Sequence, residues 1–382
     1  MKSSLRRPTI AARVLALGAA GALLFAACSG TASPAPASTA PSSAASSTTP
    51  SSSVASTAPS ASAAASFGPA EQTSLTVGIR LPNGGSVAPF YIATDKGYFS
   101  DLGLNVKLLV VEDTRAATVG GSLDVGVIEI GPLAQAATQG LGLQIFSGYR
   151  CHRQYTMAVR PEIKTVQDLS GKDALIAGVA GDPDAGARKL IMKQAGWDLD
   201  SVNPPPTYVV VPGGSNAWTN LFVAGKLYLT PVFDQTKASV LAAGGTIITN
   251  KLTGWPNDVL FAKASWLQQN PNTAARLTAG LMRAVDYLMD PANQSAVIAE
   301  LTADGVKIPN ETKSAQADPT VQVFDQFQYC DNLFIDQQST EDLLQAQGVT
   351  QIPAWSTLAD LTPLETAQQV LGKPSTAPPV PT

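Results

Sequence analysis

A strand, a glycine-containing turn and a helix follow one another early in this chain, and that order restricts its fold more than any other feature. Leu75, Val77 and Ile79 alternate with polar or small residues, Pro82-Asn83-Gly84-Gly85 interrupts them, and a helical stretch runs from about Pro89 to Lys96. Such a sequence opens a βαβ unit. Alternation resumes at Leu104, Val106, Leu108 and Val110, and an apolar strand spans Leu123 to Ile130. Further strand-like runs cover Leu143 to Tyr149, Tyr155 to Val159, Ala174 to Val179, Tyr208 to Val211 and Thr246 to Ile248, with helical segments between most of them. The chain is therefore expected to be α/β with mainly parallel sheets flanked by helices. After Leu252 the pattern turns helical: Leu277, Leu281, Val285 and Leu288 recur at three and four residues, and Pro291 follows.

The flanks read differently. Lys2, Arg6, Arg7 and Arg13 head an apolar run from Val14 to Ala27 that is too short to span a bilayer as a mature helix, and Leu24, Ala26 and Ala27 lead into Cys28. Residues 1–27 thus read as a signal peptide. The junction resembles a bacterial lipobox with Phe25 at a position where Leu is usual, so Cys28 is expected to carry a lipid; an ordinary secretory signal with an incidental Cys28 is the alternative. Residues 28–73 are mostly Ser, Ala, Thr and Pro, too poor in apolar surface to offset ordering entropy, and form a disordered tether with a reach of roughly 35 Å. The proline-rich tail, residues 373–382, is expected to be disordered too.

Loss of the signal peptide removes four cations and no anion, taking the formal charge from −4 to −8 and leaving no basic stripe for nucleic acid. Export also makes Cys151 and Cys330 an even pair in an oxidising compartment, hence a candidate disulfide; two buried free thiols are the alternative. His152 is the only histidine, which excludes a histidine-cluster metal site, and no Gly-x-Ser-x-Gly, His-Glu-x-x-His or P-loop occurs. No catalytic residue, metal or cofactor is expected. What the chain does carry is a set of Gly-rich strand-to-helix junctions, at Pro82 to Ser86, Glu129 to Pro132, Gly181 to Gly186 and Pro212 to Asn216. In open α/β sheets ligands bind at such places, outside the carboxyl ends of strands and against helix N-termini.

Ala88-Pro89-Phe90-Tyr91-Ile92-Ala93, Lys96-Gly97-Tyr98-Phe99, Gly103-Leu104-Asn105-Val106 and Gly121-Ser122-Leu123-Asp124-Val125-Gly126 resemble the solute-binding proteins of ABC importers of the nitrate/sulfonate/taurine group, which includes the thiamine-pyrimidine (NMT1/THI5-like) branch. The likeness continues through Thr165 to Lys172, Gly178 to Leu190 and Leu221 to Asp234. It implies a two-lobed periplasmic-binding-protein fold of type II, with a ligand cleft between lobes and a helical C-terminal region. Lobe one would be residues 74–160 and 250–372 and lobe two 161–249, with crossings near Arg160-Pro161 and Asn250 and hinge closure on the ligand.

The resemblance also implies a ligand site built from Asn83, Ser86, Glu129, Asp182, Asp184, Ser215, Asn216 and Asp234, with Tyr91 and Trp218 covering an apolar ligand face. Core packing is the competing role for the two aromatics, and helix capping for Asp182 and Asp184. Glu129, Asp182, Asp184 and Asp234 would repel an anion, with Arg80 the only nearby cation by sequence. A neutral or cationic nitrogenous solute, such as an aminopyrimidine, is expected, and an alkylsulfonate, taurine or nitrate is the alternative. The implied partners are this small molecule, an ABC permease and the membrane through the lipid on Cys28, with the chain a monomer on the outer face of the cytoplasmic membrane. A binding lobe reporting to a sensor is a further possibility. The resemblance includes pyrimidine synthases that hold pyridoxal phosphate through a lysine and donate their own histidine. Those are cytosolic and carry a Cys-rich motif, unlike this chain, so binding is expected and catalysis is not.

Overall fold

The structure, a computed structural model, describes residues 66–80, 84–178, 182–212, 214–306 and 328–381. The signal peptide, Cys28 and most of the tether lie outside them. The chain first runs through β1 (Ser74–Ile79), α1 (Gly84–Asp95), α2 (Tyr98–Asp101), β2 (Asn105–Val110), α3 (Thr114–Gly120), β3 (Val125–Glu129), α4 (Ile130–Thr138) and β4 (Leu143–Gly148). It continues with β5 (Arg153–Val159), β6 (Asp173–Ala177), α5 (Asp184–Gln194), β7 (Thr207–Val210), α6 (Gly214–Val223), β8 (Leu229–Val232), α7 (Asp234–Ala242) and β9 (Thr246–Thr253). The last part is β10 (Asp258–Lys263), α8 (Ala264–Gln269), α9 (Pro271–Met289), α10 (Gln294–Ala303), α11 (Gln337–Ala346), α12 (Trp355–Leu358) and α13 (Thr362–Leu371).

Two five-stranded sheets result, in the orders β2-β1-β3-β10-β4 and β7-β6-β8-β5-β9. In the first, β1 is parallel to β2 and β3, and β10 is inserted antiparallel between β3 and β4, so β10 alone runs against the other strands. The second repeats the plan, with β5 as the reversed strand between β8 and β9. Both sheets are therefore mixed in pairing while most strands share one direction. The reversed strand in each is the one that enters directly from the other sheet, without a helix to carry the chain back over.

Strand pairing fixes where the chain changes sheet: across residues 149–152, between β4 and β5, and across residues 254–257, between β9 and β10. These crossings lie outside the positions read from sequence, because the runs ending at Arg160 and starting near Asn250 belong to one antiparallel pair, β5 with β9. Both crossings are pinned from behind by the C-terminal part. Gln328 accepts side-chain bonds from Arg150 Nη1 at 3.0 Å and Asn257 Nδ2 at 2.7 Å, and its backbone carbonyl accepts from His152 N at 3.1 Å. Arg150 also donates to Asp258 Oδ2 through Nε at 2.8 Å and Nη2 at 2.6 Å. Gly148, ending β4, lies against the Leu333 and Phe334 backbone so closely that a Cβ there would collide with their carbonyl oxygens.

The larger core surrounds the first sheet. α9 buries Leu277, Leu281, Val285 and Leu288, the face read from the sequence period, and packs against α13 and α1. Each of those side chains contributes about 2 kcal/mol by burial, an upper figure because the unfolded chain hides some of the same surface. Chain order also extends beyond the expected ends of the domain. Glu71 accepts from the backbone N–H of Asn272 at 3.2 Å and of Thr273 at 2.9 Å, satisfying free donors of the α9 N-terminus. The tail that composition marks as disordered has a defined path as far as Pro381. Asn332 Nδ2 donates to the carbonyls of Pro374 and Thr376, both at 2.9 Å, Lys373 pairs with Asp286 and Asp331, and Val380 lies beside Gly254. Side-chain donors distant in sequence hold it, and composition carries no sign of them. Among the described residues no helix is long and apolar enough to cross a membrane.

Candidate functional site

The carboxyl end of β3 in the first sheet and the start of β5 in the second are joined by charge. Arg153, the first residue of β5, donates from Nη2 to Glu129 Oε2 at 3.1 Å and to Asp184 Oδ2 at 3.1 Å. Asp184 opens α5 and also accepts from Arg188 Nη2 at 3.2 Å, Tyr155 Oη at 3.3 Å and Gln347 Nε2 at 3.0 Å, just beyond α11. Asp182 accepts from the backbone N–H of Gly178 at 2.8 Å and of Asp184 at 2.9 Å, and from Arg188 Nη1 at 3.0 Å. Arg188 is tied to the sheet as well, through the Ile176 carbonyl at 2.6 Å.

Electrostatics follow from this. Burial alone would raise the Asp184 carboxyl, but Arg153 and Arg188 hold it below the usual carboxylate range. Glu129 is pushed up by burial against the pull of Arg153, because it has one strong partner and Asp184 and Asp258 are close to it. Two atoms in the cluster retain capacity. Arg153 is 4% exposed, yet its Nη1 has no hydrogen-bond partner among the described residues. Glu129 keeps 34% side-chain exposure, and no described residue bonds its Oε1. A buried donor without a partner and a part-exposed acceptor thus lie in the ion-pair cluster that links the two sheets.

The expected site residues divide. Glu129, Asp182 and Asp184 meet here, though Asp182 acts as a turn and helix-start acceptor and Asp184 is saturated by four side chains, so the capping role accounts for the first and ion pairing for the second. Trp218 is 8% exposed, donates Nε1–H to Val211 O at 2.7 Å and lies so close over Gly178 that a Cβ there would enter its ring; it is packing. Its neighbour Phe233, ring centroids 5.8 Å apart, is 38% exposed and follows the Val232 that pairs with Thr156 of β5. Phe233 is therefore an aromatic open to solvent at the carboxyl end of β8. Tyr91 lies on α1 with Asp304 as its charged neighbour, apart from the cluster. Ser215 and Asn216 occupy the first turn of α6. Asn83 lies outside the described residues, and of Ser86 in α1 and Asp234 in α7 only the backbone is described.

Sequence reasoning missed Arg153, Arg188 and Gln347. The Asp184/Arg188 spacing of four on a helix was a legible signal. Arg153 lies two residues ahead of the strand read at Tyr155 to Val159 and in fact begins β5, a weaker sign, and Gln347 carried none. Near the first crossing, Cys151, His152 and Cys330 are buried, and their ligand atoms lie within 4.8 Å of one another. The cysteine Cα atoms are 5.9 Å apart, a disulfide spacing. Burial holds the His152 imidazole below its ordinary pKa.

Two mixed sheets with one reversed strand each, crossed twice by the chain and joined by the Arg153–Glu129 ion pair, define the periplasmic-binding-protein fold. A model of the NMT1/THI5-like family matches residues 85–294, more than half of the chain, and the chain belongs to that family. Solved structures agree in fold. The periplasmic sulfonate-binding protein SsuA of Methylobacillus flagellatus superposes with a TM-score of 0.55 at 12% identity, over 79% of this chain and 96% of that one. A Candida albicans protein described as having the generic periplasmic-binding-protein fold gives 0.51 at 13% identity, over 78% and 95%. The aliphatic sulphonate-binding protein SsuA of Escherichia coli gives 0.50 at 16%, over 75% and 92%. In sequence, the chain is 28% identical over 261 residues to the nitrate import ATP-binding protein NrtC of Synechococcus elongatus, a match that covers 61% of this chain and 38% of that relative's length.

Proposed function

We propose that this chain is the solute-binding component of an ABC importer, exported, lipid-anchored through Cys28 and closing on a small nitrogen-containing organic solute between its two lobes. The observation that carries the reading is a buried donor without a partner, Arg153 Nη1, and a part-exposed carboxylate, Glu129, beside the ion pair that joins the carboxyl end of β3 to β5. A buried guanidinium N–H left without an acceptor costs about 1–3 kcal/mol, so a ligand supplying that acceptor binds favourably. A planar heterocycle with a ring nitrogen next to an amino group satisfies both atoms: the ring nitrogen accepts from Arg153 and the amino group donates to Glu129. Phe233 offers the face on which such a ring stacks. Support for transport over catalysis is the family membership and the sulfonate and nitrate transport components among the relatives. The lobes hinge about residues 149–152 and 254–257.

An alkylsulfonate or nitrate is the second ligand class. It is favoured by Arg153 and Arg188, which neutralise the carboxylates that were expected to repel it. Calorimetry against an aminopyrimidine, an alkylsulfonate and nitrate separates the two. The aminopyrimidine is expected to bind, and Glu129→Gln to weaken it about tenfold or more, the value of one charge-assisted hydrogen bond. Tight sulfonate or nitrate binding that survives Glu129→Gln, with no aminopyrimidine binding, overturns the ligand assignment. Failure of all three to bind, with no change in radius of gyration, removes its support altogether.

A further inference from the structure

Cys151, His152 and Cys330 converge at the first crossing although 179 residues separate the cysteines. Cys330 Sγ lies 3.8 Å from His152 Nε2. That is the ligand-to-ligand edge of a tetrahedron whose metal–sulfur and metal–nitrogen bonds are about 2.3 and 2.1 Å. The backbone on both sides of the cluster is also held by contacts that do not involve a bond between the sulfurs. His152 N donates to Gln328 O at 3.1 Å, and Gln328 is held in turn by Arg150 and Asn257 at 3.0 and 2.7 Å. Opening the sulfur–sulfur bond therefore leaves the two segments that carry the ligands adjacent.

We propose that this cluster is a thiol-dependent metal site, in which a thiophilic ion and the Cys151–Cys330 disulfide are alternative occupants of the same two sulfurs. A dithiol reductant supplies two electrons and two protons, giving two cysteine thiols and its own disulfide. A zinc-like divalent ion then binds both as thiolates together with His152 Nε2, and two protons are released. The fourth position falls to water or to the Gln328 carbonyl, which lies 3.9 Å from Cys151 Sγ. Two sulfurs and an imidazole select zinc or copper(I) over magnesium or calcium. Either occupant ties the first crossing to the C-terminal segment. The inference is independent of which solute the cleft takes.

The test uses the full-length protein, treated with excess dithiothreitol, desalted anaerobically, assayed for thiols and titrated with Co²⁺ alone. One equivalent should bind with a thiolate-to-cobalt charge-transfer band and tetrahedral visible bands, both bleached by Zn²⁺, and the oxidised protein should show neither. Cys330→Ser should abolish the charge-transfer band at stoichiometric cobalt, and His152→Gln should weaken binding at least tenfold. The proposal is overturned if excess dithiol yields no thiols from the native protein, or if the reduced chain loses its far-UV circular dichroism. It is equally overturned if the reduced, folded chain gives no band, or if either variant binds as the parent does.

Discussion

Replacing Arg153 by glutamine tests whether its ion pairs hold the two sheets in register. Its guanidinium is 4% exposed and contacts Glu129 and Asp184 at 3.1 and 3.0 Å. Breaking a buried ion pair from one side costs about 3–5 kcal/mol, because the remaining charge stays buried. Asp184 retains Arg188, Tyr155 and Gln347, so the uncompensated charge falls mainly on Glu129, which is one-third exposed, and the expected loss is near the low end, about 3 kcal/mol. In a chain of this size that lowers Tm by roughly 5–10 °C. The pH dependence has a definite sign. Burial already raises the Glu129 carboxyl and Arg153 opposes it. Without Arg153 the folded-state pKa rises further above the unfolded value, and such a group costs stability that grows as pH rises through it. The variant should therefore be most impaired at pH 7.5 and recover part of the deficit at pH 5. Calorimetric melting at both pH values measures it, and a Glu129→Gln/Arg153→Gln double variant should lose less than the sum of the single changes. A deficit below 1 kcal/mol at pH 7.5, or one that grows as pH falls, would refute the reasoning.

Three further outcomes are expected. Gln328→Ala removes the acceptor shared by Arg150 and Asn257 and should destabilise by about 1–3 kcal/mol in urea unfolding; an unchanged midpoint would mean the crossings are not pinned there. Gly178→Val drives a side chain into the Trp218 ring and should cost about 1–3 kcal/mol with a shifted tryptophan emission, whereas wild-type emission and Tm would contradict the close packing. Burial and the neighbouring Asp304 raise the Asp95 carboxyl to about 6, so its contribution to stability is complete below about pH 4 and lost as pH rises through 6. Asp95→Asn should accordingly stabilise by about 1 kcal/mol or less at pH 8, because the pair is screened, and by less at pH 4.5; equal effects at both values would remove the carboxyl pair as the cause.

Fold class was legible because its signals are local. Alternation in β1, the uninterrupted apolar β3 and the helical period of α9 each reflect which face of one element is buried, and the structure buries those faces. The reversal of β5 and β10 was not legible. Nothing in Tyr155 to Val159 distinguishes an antiparallel partner from a parallel one, because the same buried side chains serve both. The sheet crossings were displaced for the same reason, since β9 pairs with β5 through backbone bonds that leave no mark on composition.

The candidate site was half legible, and the missing half reverses an inference. Counting acidic residues on cleft loops predicts repulsion of an anion only if their partners are also counted, and partners in a sheet-crossing fold come from distant segments. Arg153 arrives on β5, Gln347 from beyond α11, and Asp182 spends its oxygens on two backbone N–H groups and Arg188. What remains without a partner among the described residues is one carboxylate oxygen of Glu129 and one guanidinium nitrogen of Arg153. Such a pair has little net charge but strong direction, so on the proposed reading specificity would rest on the order of donor and acceptor along a ligand's edge more than on the ligand's charge.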